Sequence, residues 1–122
     1  ACLVGSEMCI RDSRYKVPII QVVLNNHVLG MVRQWQNLFY GQRYSNTVLD
    51  DSVDFVAVSK ALGANASKIT SIEEFETEFK KALTADGPTV LDVMIDSDDK
   101  VWPMVAPGAA IDTCFTDKDL DN

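Results

Sequence analysis

The apolar run from Val17 to Leu24, stopped by Asn25 and Asn26, constrains this chain more than any other stretch. It is short, rich in β-branched residues and broken only by Gln21, the pattern of a strand buried on both faces of a parallel sheet. Pro18 falls at its start, where a missing N–H is tolerated. Beyond the two amides, Leu29, Val32, Trp35, Leu38, Phe39 and Tyr40 recur at helical spacing. A helix over about Leu29–Phe39 is therefore expected, with Gly41 breaking it. In open α/β sheets ligands gather outside the carboxyl ends of strands, so a strand ending in two amides is a candidate site.

The pattern continues downstream. Asp50, Asp51 or Ser52 can cap a helix that carries Phe55, Val58 and Leu62 on one face, and Gly63 closes it. Ala64–Ile69 is a short, weak strand. A capping box follows, either Thr70 with Glu73 or Ser71 with Glu74, and Ile72, Phe75, Phe79, Ala82 and Leu83 then share one helical face. Acidic residues crowd the first turns and Lys80 and Lys81 come late, as the helix dipole favours. Asp86-Gly87-Pro88 is a stop, and Thr89–Ile95 is a second buried strand interrupted by Asp92. Asp96, Asp98 and Asp99 lack the glycine and distal glutamate of a calcium loop and read as a solvated acidic loop. Strand, helix, helix, strand, helix, strand is the α/β alternation of a doubly wound parallel sheet, here its C-terminal part.

A length of 122 residues suits one domain, and 47% apolar residues suit a packed core. A net charge of −7 with no basic stripe argues against nucleic acid, and no stretch is long enough to cross a membrane. No signal peptide is recognisable, so the reading is a soluble, cytosolic protein.

Residues 1–13 fit no element. Leu3–Ser13, LVGSEMCIRDS, resembles the in-frame translation of a sequencing adapter and is set aside from fold reasoning. Cys2 and Cys9 go with it, leaving Cys114 as a lone native cysteine that builds neither a disulfide nor a metal pair. The expected organisation is an adapter-like segment over 1–13, a truncated domain over 14–115 and a polar tail over 116–122. On this reading the chain is a fragment.

An Asn side chain offers a neutral oxygen suited to Mg²⁺, a hard cation that takes few protein ligands and also holds phosphate oxygens. Taken alone, the Asn pair reads as a turn. Likewise Met31, Val32 and Trp35 alone read as the core face of an amphipathic helix.

The wider stretch LNNHVLGMVRQWQNLFYGQRYS resembles the catalytic subunit of acetohydroxyacid synthase (acetolactate synthase), a thiamine-diphosphate enzyme. DFVAVSKALGA, DGPTVLDVMID and VWPMVAPGAAID extend the resemblance from Arg14 to about Asp112. It implies a thiamine-diphosphate-binding domain of the pyrophosphate type. Asn26 would give Mg²⁺ its side-chain oxygen and Val28 its backbone carbonyl, while Asn25 shapes the turn. Leu29, Gly30 and Met31 would lie against the cofactor. Trp35 would shape the acceptor pocket and favour 2-oxobutanoate over pyruvate, with Val32, Phe39, Pro107 and Gly108 lining or closing the channel. His27 falls where the family varies and reads as a bystander.

The resemblance further implies a parent that decarboxylates pyruvate and joins the two-carbon unit to a second 2-oxo acid, in branched-chain amino-acid biosynthesis. Its aspartate ligand to Mg²⁺, its activating glutamate and its FAD-associated domain would lie outside this chain, which alone is expected to be inactive. The parent would be a homodimer or tetramer with a small regulatory subunit. It would be cytoplasmic in a bacterium, and in a plastid or mitochondrion in a eukaryote. Glyoxylate carboligase, sulfoacetaldehyde acetyltransferase and a non-catalytic α/β module stand as alternatives.

Overall fold

The computed structural model describes residues 10–49 and 53–120. Residues 10–14 form a short helix, α1. Then come β1 (Ile20–Asn25), α2 (Gly30–Phe39), α3 (Phe55–Ala61), β2 (Asn65–Ile69), α4 (Ile72–Leu83) and β3 (Thr89–Met94). The strands form a three-stranded sheet in the order β1-β3-β2. Both ladders are parallel, with Ile20 and Asn65 each opposite Thr89. Every crossover carries a helix, as parallel pairing requires.

Adjacent residues of a strand point to opposite faces, so Ala66 and Ser67 mark the two sides of the sheet. Ala64, Ala66 and Val90 form a core with Val23, Val56 and Leu62, which seats α3. On the other side Ser67 donates to the Glu78 carboxylate at 2.8 Å, tying β2 to α4. Helices on both faces make the sheet doubly wound, as the alternation predicts. Leu91 and Ile69 are fully buried; each such side chain contributes about 1.5–3 kcal/mol.

β3 is buried as expected, but β1 departs from expectation. It is half-exposed, with Leu24 66% accessible. The reason is strand order: β3 is flanked on both sides, whereas β1 has a partner on one edge only among the described residues. β1 also begins at Ile20, two residues after Pro18.

Hydrogen bonding settles how α3 and α4 begin. Asp54 caps α3 by accepting from the Ala57 N–H at 2.8 Å; Asp50, Asp51 and Ser52, the expected caps, lie outside the described residues. Ser71 caps α4, and Glu74 accepts from the N–H and hydroxyl of Thr70 at 2.8 and 2.9 Å. These bonds hold the Glu74 carboxyl below its ordinary range. On α4, Phe75 and Phe79 stack at 5.5 Å and Ala82 is buried, but Ile72 and Leu83 are exposed.

The segment expected to fit no element is not featureless. Residues 10–14 are helical, Asp12 is buried, and Ser13 donates to the Gly63 carbonyl at 2.8 Å. Cys2 and Cys9 lie outside the described residues. In the polar tail, Thr116 caps a single 3-10 turn over Asp117–Asp119. Cys114 is exposed and free.

Candidate active site at the Asn25–Asn26 turn

β1 ends in two successive side-chain turns. Asn25 Oδ1 accepts from the His27 N–H at 3.1 Å and Asn26 Oδ1 from the Val28 N–H at 3.2 Å. Asparagine closes such turns by copying a backbone carbonyl. Asn25 also donates through Nδ2 to Asp92 Oδ1 at 3.1 Å, fixing the turn to the centre of the sheet. The polar interruption of β3 is thus a strut for the turn. His27 takes a left-handed conformation, φ 55°.

A second strap holds the turn from outside. Val28 forms an antiparallel bridge with Val48; the Leu29 N–H donates to the Thr47 carbonyl at 2.8 Å and the Leu49 N–H to the His27 carbonyl at 2.9 Å. Thr47 is buried, and its hydroxyl oxygen has no protein partner. Gly30 opens α2 directly beneath Asn26, where an added Cβ would stand 2.7 Å from Asn26 Nδ2. The missing side chain makes room for Asn26 itself, a reason for glycine that sequence reasoning assigned to a ligand.

The donor set is neutral. Asn26 Oδ1 has one lone pair engaged and a second to offer. The Val28 carbonyl accepts no backbone hydrogen bond among the described residues. Two neutral oxygens from residues two positions apart fit part of a magnesium shell, which needs about six oxygens in all. Among the described residues no group of three or more His, Cys, Asp or Glu side chains could hold a metal.

Along α2, Met31, Val32 and Trp35 line a groove of about 690 Å³, joined by Gln36, Tyr40 and Arg43. The structure therefore brings two of the expected pocket residues, Val32 and Trp35, together with Met31, which was expected against the cofactor. Phe39 does not border this groove; its ring stands edge-on to Trp35 at 6.1 Å and to Phe115 at 6.3 Å. Pro107 and Gly108 form an exposed turn elsewhere, with Gly108 at φ 78°. Leu29 is tied into the strap and also lies outside the groove.

The residues that sequence reasoning missed are the glutamines. Gln34 is 4% exposed; its Oε1 accepts from the Val101 N–H and its Nε2 donates to the Val101 carbonyl, both at 3.0 Å. Gln36 does the same for Ser45, at 3.0 and 3.2 Å. Two residues apart on a helix is about 200°, so the pair pins one segment on each side of α2 with Trp35 between them. Arg33 adds a third tie. It pairs with Asp98 at 2.7 Å and lies 4.1 Å above the Tyr44 ring. The arginine hydrogen bond holds the Asp98 carboxyl below its ordinary range, so this part of the acidic loop is paired as well as solvated.

A parallel sheet with helices on both faces and an amide turn at a strand's carboxyl end is a ligand-binding α/β architecture. Residues 9–93 match the sequence model of the thiamine pyrophosphate enzyme C-terminal TPP binding domain, and the chain belongs to that family. The match begins inside the adapter-like segment. The acetolactate synthase isozyme 2 large subunit of Escherichia coli is 44% identical over 97 residues, covering 80% of this chain and 18% of the relative. A probable acetolactate synthase large subunit of Methanocaldococcus jannaschii is 38% identical over 109 residues, covering 89% and 18%. The chain thus spans about a fifth of the length of these curated relatives. A thiamine diphosphate-dependent 4-hydroxybenzoylformate decarboxylase of Rhodococcus jostii superposes with TM-score 0.69 at 27% identity, over 79% of this chain and 18% of that one. The benzoylformate decarboxylase of Polynucleobacter necessarius gives TM-score 0.70 at 26% identity, over 82% and 19%.

Proposed function

We propose that this chain is the cofactor-binding portion of an acetolactate-forming carboligase, which joins pyruvate to a second 2-oxo acid. The observation that carries the reading is the placement of Asn26 Oδ1 and the Val28 carbonyl two residues apart, with the Trp35 groove on the helix that follows. Thiamine diphosphate, when bound, supplies the electron sink for decarboxylation and carbon–carbon bond formation. Asn26 and Val28 would hold its Mg²⁺, and Met31 would border both cofactor and groove. The groove is apolar and excludes water from an acceptor's alkyl end, and Trp35 sets the acceptor length it admits. A difference of one methylene in such a pocket is worth about 1–3 kcal/mol.

The described residues offer Mg²⁺ two neutral oxygens, which leaves the charge of the ion uncompensated. The 122-residue chain alone should bind thiamine diphosphate negligibly and turn nothing over. FAD and the remaining Mg²⁺ ligands belong to other parts of the proposed enzyme, whose place is the cytoplasm of a bacterium or an organelle of a eukaryote. No helix among the described residues is long and apolar enough to cross a membrane.

Grafting this chain in place of the matching stretch of the Escherichia coli isozyme 2 large subunit tests the reading. Acetolactate formed from pyruvate supports it. The decarboxylases among the structural neighbours favour a second reading. A folded chimera that releases carbon dioxide and acetaldehyde without forming acetolactate would establish that one instead.

A further inference from the structure

The strap over residues 47–49 has a geometric consequence for the oxygen at its centre. In the Val28–Val48 bridge the cross-chain hydrogen bonds are made by the neighbours, Leu29 with Thr47 and Leu49 with His27. A central pair of this kind turns its own N–H and C=O groups away from the partner strand. The Val28 N–H is taken by Asn26 Oδ1 at 3.2 Å. The Val28 carbonyl, in a residue only 8% exposed, accepts no backbone hydrogen bond among the described residues. Carbonyls in such residues are paired in nine cases of ten or more, so one left over is a feature to be explained.

The strap also bears on the conformation that aims this oxygen. His27 has φ 55°, a left-handed conformation that costs a non-glycine residue about 1–2 kcal/mol. Its carbonyl and the N–H of Leu29 are both tied to the strap. Thr47 is itself buried at 2% exposure, so the strap is packed into the domain.

We infer that Thr47, Val48 and Leu49 are positioning residues: by engaging the backbone on either side of Val28, they hold its carbonyl outward beside Asn26 Oδ1 as a ready ligand for a divalent cation. This rests on the proposed Mg²⁺ role of Asn26 and Val28 and adds the element that enforces it. Loop 47–49 is then as much a part of the metal site as the turn that carries the ligands.

The test uses the chimera with the Escherichia coli isozyme 2 large subunit, isotope-labelled and supplied with thiamine diphosphate and Mn²⁺, with carbonyl-detected NMR reading paramagnetic broadening residue by residue. In the wild type, the Val28 carbonyl and the Asn26 side chain should broaden first. Leu49→Pro removes one strap donor. It should weaken the Val28 response about fivefold, as expected for one lost hydrogen bond, while sheet resonances from β2 and β3 stay in place. Val48→Gly, at a side chain 71% exposed, loosens the strap without removing a donor or a core contact and should act in the same direction. Selective broadening that persists unchanged in both variants overturns the strap's role and leaves the ligand assignment standing. No selective broadening in the wild type overturns the ligand assignment and the strap's role with it.

Discussion

Gln34 and Val101 pair as two strand residues would, a side-chain amide standing in for a backbone unit, with both hydrogen bonds at 3.0 Å. Gln34 Nε2 also reaches Met104 Sδ. The pairing anchors the segment after β3 on α2 although no regular element is there to hold it. A glutamine is suited to this because it alone, with asparagine, offers a donor and an acceptor side by side.

Gln34→Leu should therefore cost about 1–3 kcal/mol, since it removes both hydrogen bonds of a buried side chain and leaves the Val101 N–H and carbonyl without that partner. Gln36→Leu should cost less, because Gln36 is less buried than Gln34 and water reaches both of its hydrogen bonds. Urea unfolding of the two variants compares them, and equal losses would contradict the assignment.

Gly30→Ala separates helix propensity from site geometry. Glycine to alanine in a helix stabilises by about 1 kcal/mol when space permits. Here the new Cβ meets Asn26 Nδ2 at 2.7 Å, so Asn26 must move. The expected outcome is a melting temperature that changes little, displaced Asn26 side-chain resonances, and roughly tenfold less acetolactate from the chimera, as for other disturbances behind a metal ligand. Unmoved Asn26 resonances would show that the glycine is there for another reason.

Trp35→Leu in the chimera should shift products from 2-aceto-2-hydroxybutanoate towards 2-acetolactate, by roughly tenfold in the ratio when both acceptors compete. The groove position of Trp35 next to Met31 and Val32 motivates this. An unchanged ratio would remove Trp35 from the specificity role.

Acid should weaken the fold through Glu74, Glu78 and Asp98. Each has its folded-state pKa lowered: Glu74 by its bonds from Thr70, Glu78 by Lys81 and Ser67, Asp98 by Arg33. A lowered folded pKa adds stability above the unfolded value and loses it as pH falls through the folded one. Stability should thus decline below the ordinary glutamate value of 4.5 and aspartate value of 3.8. Glu74→Gln should flatten part of that decline in a pH series of thermal melts. All three carboxylates are accessible, so the effect is modest and shrinks in salt.

Much of the fold was legible because it rests on local chemistry. Apolar runs between turn signals located β1, β2 and β3, and Ser71 with Glu74 marked the start of α4. Asn25 and Asn26 announced a turn at a strand end, and the turn is there. Helical spacing put Met31, Val32 and Trp35 on one face and read it as core; that the face is an open groove was implied by the family resemblance alone. Gln34 and Gln36 gave no such signal, since a polar residue on a helix reads as solvent-facing until its partner is known. Their partners, Val101 and Ser45, are set by how the chain returns to α2.

The sequence by itself determined the order of strands and helices, the parallel class of the sheet and the amide turn, because each depends on neighbours within a few residues. Only the tertiary structure decided that β3 rather than β1 is the buried centre, that Asp92 braces Asn25, and that loop 47–49 frames the Val28 carbonyl. Those relationships join residues 20 to 70 positions apart. Period and propensity carry no information across such distances, whereas strand order and backbone pairing do.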